Sequence, residues 1–79
     1  MTIRAHLEEA CSVQIKIYDR KGMKVKTLVE SFVTPEADGT MAVSWDGRND
    51  KGEVVASGIY LLKLTTPRGN DKKKIVVVK

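Results

Sequence analysis

The two residue types that most often supply a nucleophile and its base occur once each, as Cys11 and His6. A thiol needs a base within hydrogen-bond reach to act as a nucleophile. Here the two are separated by five positions that run through Glu8-Glu9-Ala10, a turn by composition. Odd spacing along an extended chain sends side chains to opposite faces, so no dyad is expected. Zinc takes three or four Cys, His or carboxylate ligands, more than this pair supplies. His6 reads as a solvated strand residue and Cys11 as a small half-buried hydrophobe. A single cysteine also excludes an intrachain disulfide.

The acidic loop Asp46-Gly47-Arg48-Asn49-Asp50-Lys51-Gly52 invites a test for calcium. An EF-type loop wants an oxygen ligand at its third position, Gly at its sixth and Glu at its twelfth. Counting from Asp46, those positions hold Arg48, Lys51 and Ser57, so the match fails. Asp46, Asn49 and Asp50 remain the candidate set for a site of another kind. The competing reading is that these side chains cap a tight loop by accepting bonds from its own amides. Gly47 and Gly52 have the glycine spacing of a phosphate-binding loop, but Glu53-Val54 stands where Lys-Ser/Thr is required. No cofactor site is expected, and no catalytic residue.

The formal charge is +4, which raises the question of nucleic acid. The Lys and Arg residues are scattered among alternating segments, and the one run is Lys72-Lys73-Lys74. That run reads as a charged edge or turn that blocks strand addition. Stacking on single strands needs exposed aromatics on a basic face. Of Tyr18, Phe32, Trp45 and Tyr60, Trp45 runs in phase with Met41 and Val43, and Tyr60 with Leu62 and Leu64, so both belong to a core. A protein partner is expected rather than nucleic acid.

The elements that position these residues repeat with a period of two, the signature of half-buried strands. Ile3, Ala5 and Leu7 alternate with polar residues. Val13, Ile15 and Ile17 do so more cleanly, up to Asp19. Asp19-Arg20-Lys21-Gly22 is a hairpin loop. The next strand starts at Met23, loses its phase at Thr27-Leu28-Val29 as a bulge or bend would, and runs to Ser31 or Phe32. Thr34 to Gly39 is a loop. Met41, Val43 and Trp45 mark a fourth strand, Val54 to Ala56 a short fifth, and Ile59 to Thr66 a sixth. That sixth strand is apolar on both faces and so central. Pro67 to Asp71 is a turn, and Lys73 to Val78 is the last strand. Short strands at such regular intervals predict a sandwich or small barrel.

Seventy-nine residues, 42% hydrophobic and 30% charged, suit one folded domain over residues 1–79 with a thin core. The longest apolar run, Ile75 to Val78, is far short of a membrane helix, so the chain is not expected to be membrane-embedded. Met1 to His6 lacks the apolar stretch of a signal peptide.

Three stretches resemble a known family. They are Val13-x-Ile15-x-Ile17-Tyr18-Asp19-x-x-Gly22, Val43-Ser44-Trp45-Asp46-Gly47-Arg48-Asn49 and Gly52-x-x-Val55-x-Ser57-Gly58-Ile59-Tyr60. Together with Val25-x-Thr27-Leu28-Val29, they are similar to the immunoglobulin-like domain of FlgD, the flagellar hook-capping protein. The same module recurs at the C-termini of bacterial secreted and surface proteins. The resemblance implies an all-β, immunoglobulin- or fibronectin-III-like sandwich of about seven short antiparallel strands. It marks Trp45, Asp46, Gly47, Gly52, Ser57, Gly58 and Tyr60 as a structural signature. It also implies a bacterial extracellular or cell-surface setting and a non-catalytic structural or docking role. Ser57 to Lys79 is similar, more distantly, to the C-terminal sorting domain of type IX secretion. A third expectation is self-assembly through Val-rich edge strands. An enzyme would need convergent polar groups in a pocket, and the sequence offers none.

Overall fold

The computed structural model describes residues 2–78; Met1 and Lys79, the ends of the expected domain and of the basic-apolar tail, lie outside it. Six strands form: β1 (Thr2–His6), β2 (Cys11–Tyr18), β3 (Lys24–Val33), β4 (Thr40–Ser44), β5 (Gly58–Thr66) and β6 (Gly69–Val77). They make two antiparallel sheets, one of β1 and β4 and one in the order β3-β2-β5-β6. This is an immunoglobulin-like sandwich with one short layer.

The core follows from the alternation. Val13, Ile15 and Ile17 on β2 are 0–1% exposed, and burying each such side chain is worth about 1.5–3 kcal/mol. Tyr60, Leu62 and Leu64 on β5, and Ile75 and Val77 on β6, extend the same face. Ile3, Leu7, Met41 and Trp45 close it from the side of the two-stranded sheet. Among the described residues no polar or charged side chain is buried.

Both internal strands, β2 and β5, are those with the strongest apolar patterns. The phase slip in β3 is a bulge: Ile15 faces Val29 and Lys16 faces Thr27, so Leu28 has no opposite residue. A second bulge leaves Val25 over, between Lys26 opposite Ile17 and Lys24 opposite Tyr18.

Two expectations need correction. Among the described residues there are six strands rather than about seven, because Val54 to Ala56 makes only one bridge, Val54 to Arg48. That segment bonds back to its own loop, the Val55 amide donating to the Gly47 carbonyl at 2.9 Å. The last turn is also shorter than Pro67 to Asp71. Thr66 already faces Gly69, and Asn70 and Asp71 pair with Thr65 and Leu64. Asn and Asp disfavour strands in general, but here both are exposed on an edge strand, where the ladder satisfies their backbones at no burial cost.

Candidate functional site

Trp45 directly follows β4, and Tyr60 stands near the start of β5. Their rings meet edge to face, with centroids 5.7 Å apart and planes at 72°, an arrangement worth about 0.5–1.5 kcal/mol beyond the area buried. Each ring ties down the segment between them with its polar tip. Trp45 Nε1 donates to the Arg48 carbonyl at 3.0 Å, and the Tyr60 hydroxyl donates to the Ala56 carbonyl at 2.6 Å. A tyrosine near a strand start that bonds a few residues upstream is a recurrent corner of immunoglobulin sandwiches. Ser57 and Gly58 lie just before Tyr60, and β5 begins at Gly58.

Within that segment, Asn49 to Glu53 forms a five-residue turn. The Asn49 amide donates to the Glu53 carbonyl at 2.9 Å, and the Gly52 amide donates to the Asn49 carbonyl at 3.0 Å. Asn49 Oδ1 accepts from the Lys51 and Glu53 amides at 2.9 and 3.0 Å. Gly52 takes φ 82°, a left-handed value that a side chain disfavours. Arg48 Nη1 closes the loop from outside by donating to the Gly52 carbonyl at 2.8 Å.

The three candidate metal ligands have separate tasks. Asp46 Oδ1 accepts from the Arg48 amide at 3.0 Å. Asn49 caps the turn just described. Asp50 reaches out of the loop to the bulged β3: its amide donates to the Val25 carbonyl at 3.0 Å, and its Oδ1 accepts from the Thr27 amide at 3.1 Å. Its other oxygen lies 3.5 Å from Lys24 Nζ. The Thr27 amide holds the Asp50 carboxyl below its ordinary value, opposed by slight desolvation and assisted by Lys24. Asp50 therefore covers part of the free edge of β3, where the second bulge leaves the ladder open. An open groove of about 390 Å³ lies beside it, lined by Asp19, Lys24, Asn49, Asp50 and Tyr60 among others.

At the opposite end, His6 is exposed and Cys11 half-buried. Both line one open groove of about 490 Å³, together with Leu64, Arg68 and Asp71. The bend at Glu8-Glu9 moves the chain from one sheet to the other, so face parity along one strand does not apply. Among the described residues no hydrogen bond links the two. Arg68 holds the rim of the groove. Its Nε donates to Glu9 Oε1 at 2.7 Å and its Nη1 lies 3.7 Å from Glu8 Oε2. The bond to Glu9, then the charges of Glu9 and Glu8, raise the Arg68 pKa.

Sequence reading missed that the turn frame recurs. Asp19 to Met23 has the same bonds: Asp19 amide to Met23 carbonyl and Gly22 amide to Asp19 carbonyl, both 3.0 Å. Asp19 Oδ1 accepts from the Lys21 and Met23 amides at 2.9 and 3.0 Å. The signal was present as Asp-x-Lys-Gly and Asn-x-Lys-Gly. Glu36 to Thr40 shares the backbone pattern, with bonds of 2.7 and 2.9 Å. There the capping oxygen comes from Asp38, which accepts from the Thr40 hydroxyl at 2.6 Å and the Thr40 amide at 3.1 Å.

A family model described as the FlgD Ig-like domain matches residues 1–70. A solved structure of FlgD from P. aeruginosa superposes with a TM-score of 0.69 at 24% sequence identity. That superposition covers 96% of this chain and 59% of the other, so the chain spans a little over half the length of that structure. No curated protein matches the sequence.

Proposed function

The chain belongs to the FlgD Ig-like domain family, and on that premise we propose that it is a non-catalytic structural and interaction module of a bacterial extracellular or cell-surface protein. The observation that supports this reading most directly is how the loop polar groups are used. Asp19, Asp38, Asp46, Asn49 and Asp50 each accept bonds from backbone amides, so their lone pairs shape turns and an edge. Tyr60 and Trp45 likewise direct their polar tips to carbonyls. Among the described residues no group of three His, Cys, Asp or Glu side chains gathers to hold a metal. Among the described residues no helix is long and apolar enough to cross a membrane.

The module reading takes residues 1–79 as one autonomous domain. It predicts a single cooperative unfolding transition for the isolated chain, unchanged when the chain is embedded between two unrelated flanking domains. A transition that requires particular neighbours would overturn it. Exchanging the segment in its natural gene for an unrelated immunoglobulin-like sandwich separates two roles: a spacer tolerates the exchange and a docking module does not.

The sorting alternative rests on Ser57 to Lys79. Deleting Lys72 to Lys79 is a poor test of it, because Ile75 and Val77 are buried and their loss would unfold the sheet. Neutralising Lys73 and Lys74 in a reporter fusion keeps the core and asks the same question; unchanged export would end the sorting reading. Self-association through edges is opposed on the larger sheet by lysines on β6 and by bulges on β3.

A further inference from the structure

We propose that the outer face of the four-stranded sheet docks an acidic, partly apolar face of another protein, with Lys63 at its centre; this rests on the interaction-module reading above. The observation is one of register. Lys16 lies directly opposite Lys63, and Lys63 directly opposite Lys72. Opposite residues of antiparallel strands share a face with Cβ atoms about 5 Å apart. Three ammonium-bearing side chains thus stand side by side across β2, β5 and β6. Lys16 and Lys63 alternate along their strands with the buried Ile15, Ile17, Leu62 and Leu64, and Lys72 is out of phase with the buried Ile75 and Val77 of β6, so all three stand on the face away from the core. The next row of that face runs Lys24, Tyr18, Leu61, Lys74, and the row after it pairs Ile59 with Val76.

Like charges placed opposite one another destabilise a sheet, and among the described residues no ion pair offsets this row. The ion pairs of the described residues involve Arg4, Lys24 and Arg68, and none reaches Lys16, Lys63, Lys72 or Lys74. At the strand positions of this face the one acid is Glu30, beside Gln14. The adjacent row runs Glu30, Gln14, Thr65, Asn70, so β2, β5 and β6 carry uncharged polar residues at the positions next to the three lysines. Solubility alone does not call for the lysines to stand in line.

The remainder of the face selects the class of partner. Ile59 and Val76 are 45% and 54% exposed, and Tyr18 and Leu61 are half-buried beside them. An apolar patch next to a charged band fits a protein interface, where apolar contact supplies affinity and complementary charge supplies orientation and encounter rate. Single-stranded nucleic acid would need several stacking rings along a basic track, and this face carries two that stand apart: the half-buried Tyr18 in a basic row, and the exposed Phe32 opposite Ser12, separated from the lysines by the row that holds Glu30.

The test is an NMR titration of the labelled 79-residue chain with three probes: a synthetic peptide alternating glutamate and leucine, polyglutamate of equal charge, and a DNA oligonucleotide of equal charge. Saturable shifts at Lys16, Tyr18, Leu61, Lys63, Lys72 and Val76, strongest for the mixed peptide, are expected. K63Q should weaken that binding about tenfold while raising the thermal midpoint of the free chain at low salt. Shifts confined to the loops, equal binding of polyglutamate, or tighter binding of DNA would each overturn the proposal. So would a lower midpoint in K63Q, since the row would then serve the fold. Failure here leaves the module reading standing, because autonomous folding and segment exchange are measured without reference to this face.

Discussion

The turns Asp19–Met23 and Asn49–Glu53 have the same backbone bonds, the same two amides capped by an Asp or Asn oxygen, and a left-handed glycine at the fourth position. They differ in what surrounds them. The first joins β2 to β3 as a plain hairpin. The second hangs from Trp45 through the Arg48 carbonyl and reaches across to the edge of β3 through Asp50. The residue corresponding to Asp50 in the first turn is Arg20, which is exposed. Local chemistry makes the turn in both cases; an anchor behind it and an open strand edge in front of it turn the second copy into a clasp.

The largest expected effect comes from cutting that anchor. Trp45→Ala removes a side chain only 1% exposed and should cost about 3–5 kcal/mol in chemical denaturation. In whatever population stays folded, amide exchange at Gly52 should speed up more than at Gly22. Unchanged stability would undo the assignment of Trp45 as the plug of the core.

Replacing either glycine by alanine forces a residue with a side chain into the left-handed region, at about 1–2 kcal/mol. An added Cβ meets nothing within 4 Å at Gly22 or Gly52, so thermal melts of the two variants should agree. A markedly larger loss at Gly52 would show that the clasp strains its own turn.

Asp19→Ala and Asn49→Ala each remove two capping bonds, worth about 1 kcal/mol in net terms at these accessible sites. The denaturant midpoints should fall by similar amounts. If only Asn49→Ala matters, the frame is less local than its geometry indicates.

Asp50→Ala against Arg20→Ala is the smallest and most specific contrast. The first should lower the melting midpoint and expose the β3 edge, read as faster exchange at the Thr27 amide; the second should do neither. Acid should act like the first variant. The Asp50 carboxyl is held below its ordinary value of 3.8, chiefly by the Thr27 amide. Its contribution is therefore fully present above that value and lost as pH falls through the folded pKa. In the Asp50→Ala chain, the loss of stability on acidification below pH 3.8 should be shallower.

The comparison also marks how far the residues could be read unaided. Alternation from Val13 to Ile17 and from Tyr60 to Leu64 was enough to find the two internal strands, because burial of one face imposes period two on any such sequence. The bulge at Leu28 was visible as a phase error for the same reason. Trp45 announced its burial by standing in phase with Met41 and Val43. Asp-x-Lys-Gly and Asn-x-Lys-Gly held both turns, since the glycine and the capping oxygen are sufficient to make them.

What remained hidden depends on which strand lies beside which. Val54 to Ala56 alternates too weakly to show that its partner is its own loop instead of a neighbour. The bond from the Thr27 amide to Asp50 exists only because β3 lies beside the loop. His6 and Cys11 meet at one groove only because the chain changes sheets between them. The row Lys16, Lys63, Lys72 spans most of the sequence and exists only in the register of β2, β5 and β6. Period and turn chemistry are properties of neighbours along the chain. Edges, clasps and charged rows belong to neighbours in space, and cross-strand hydrogen bonding decides those.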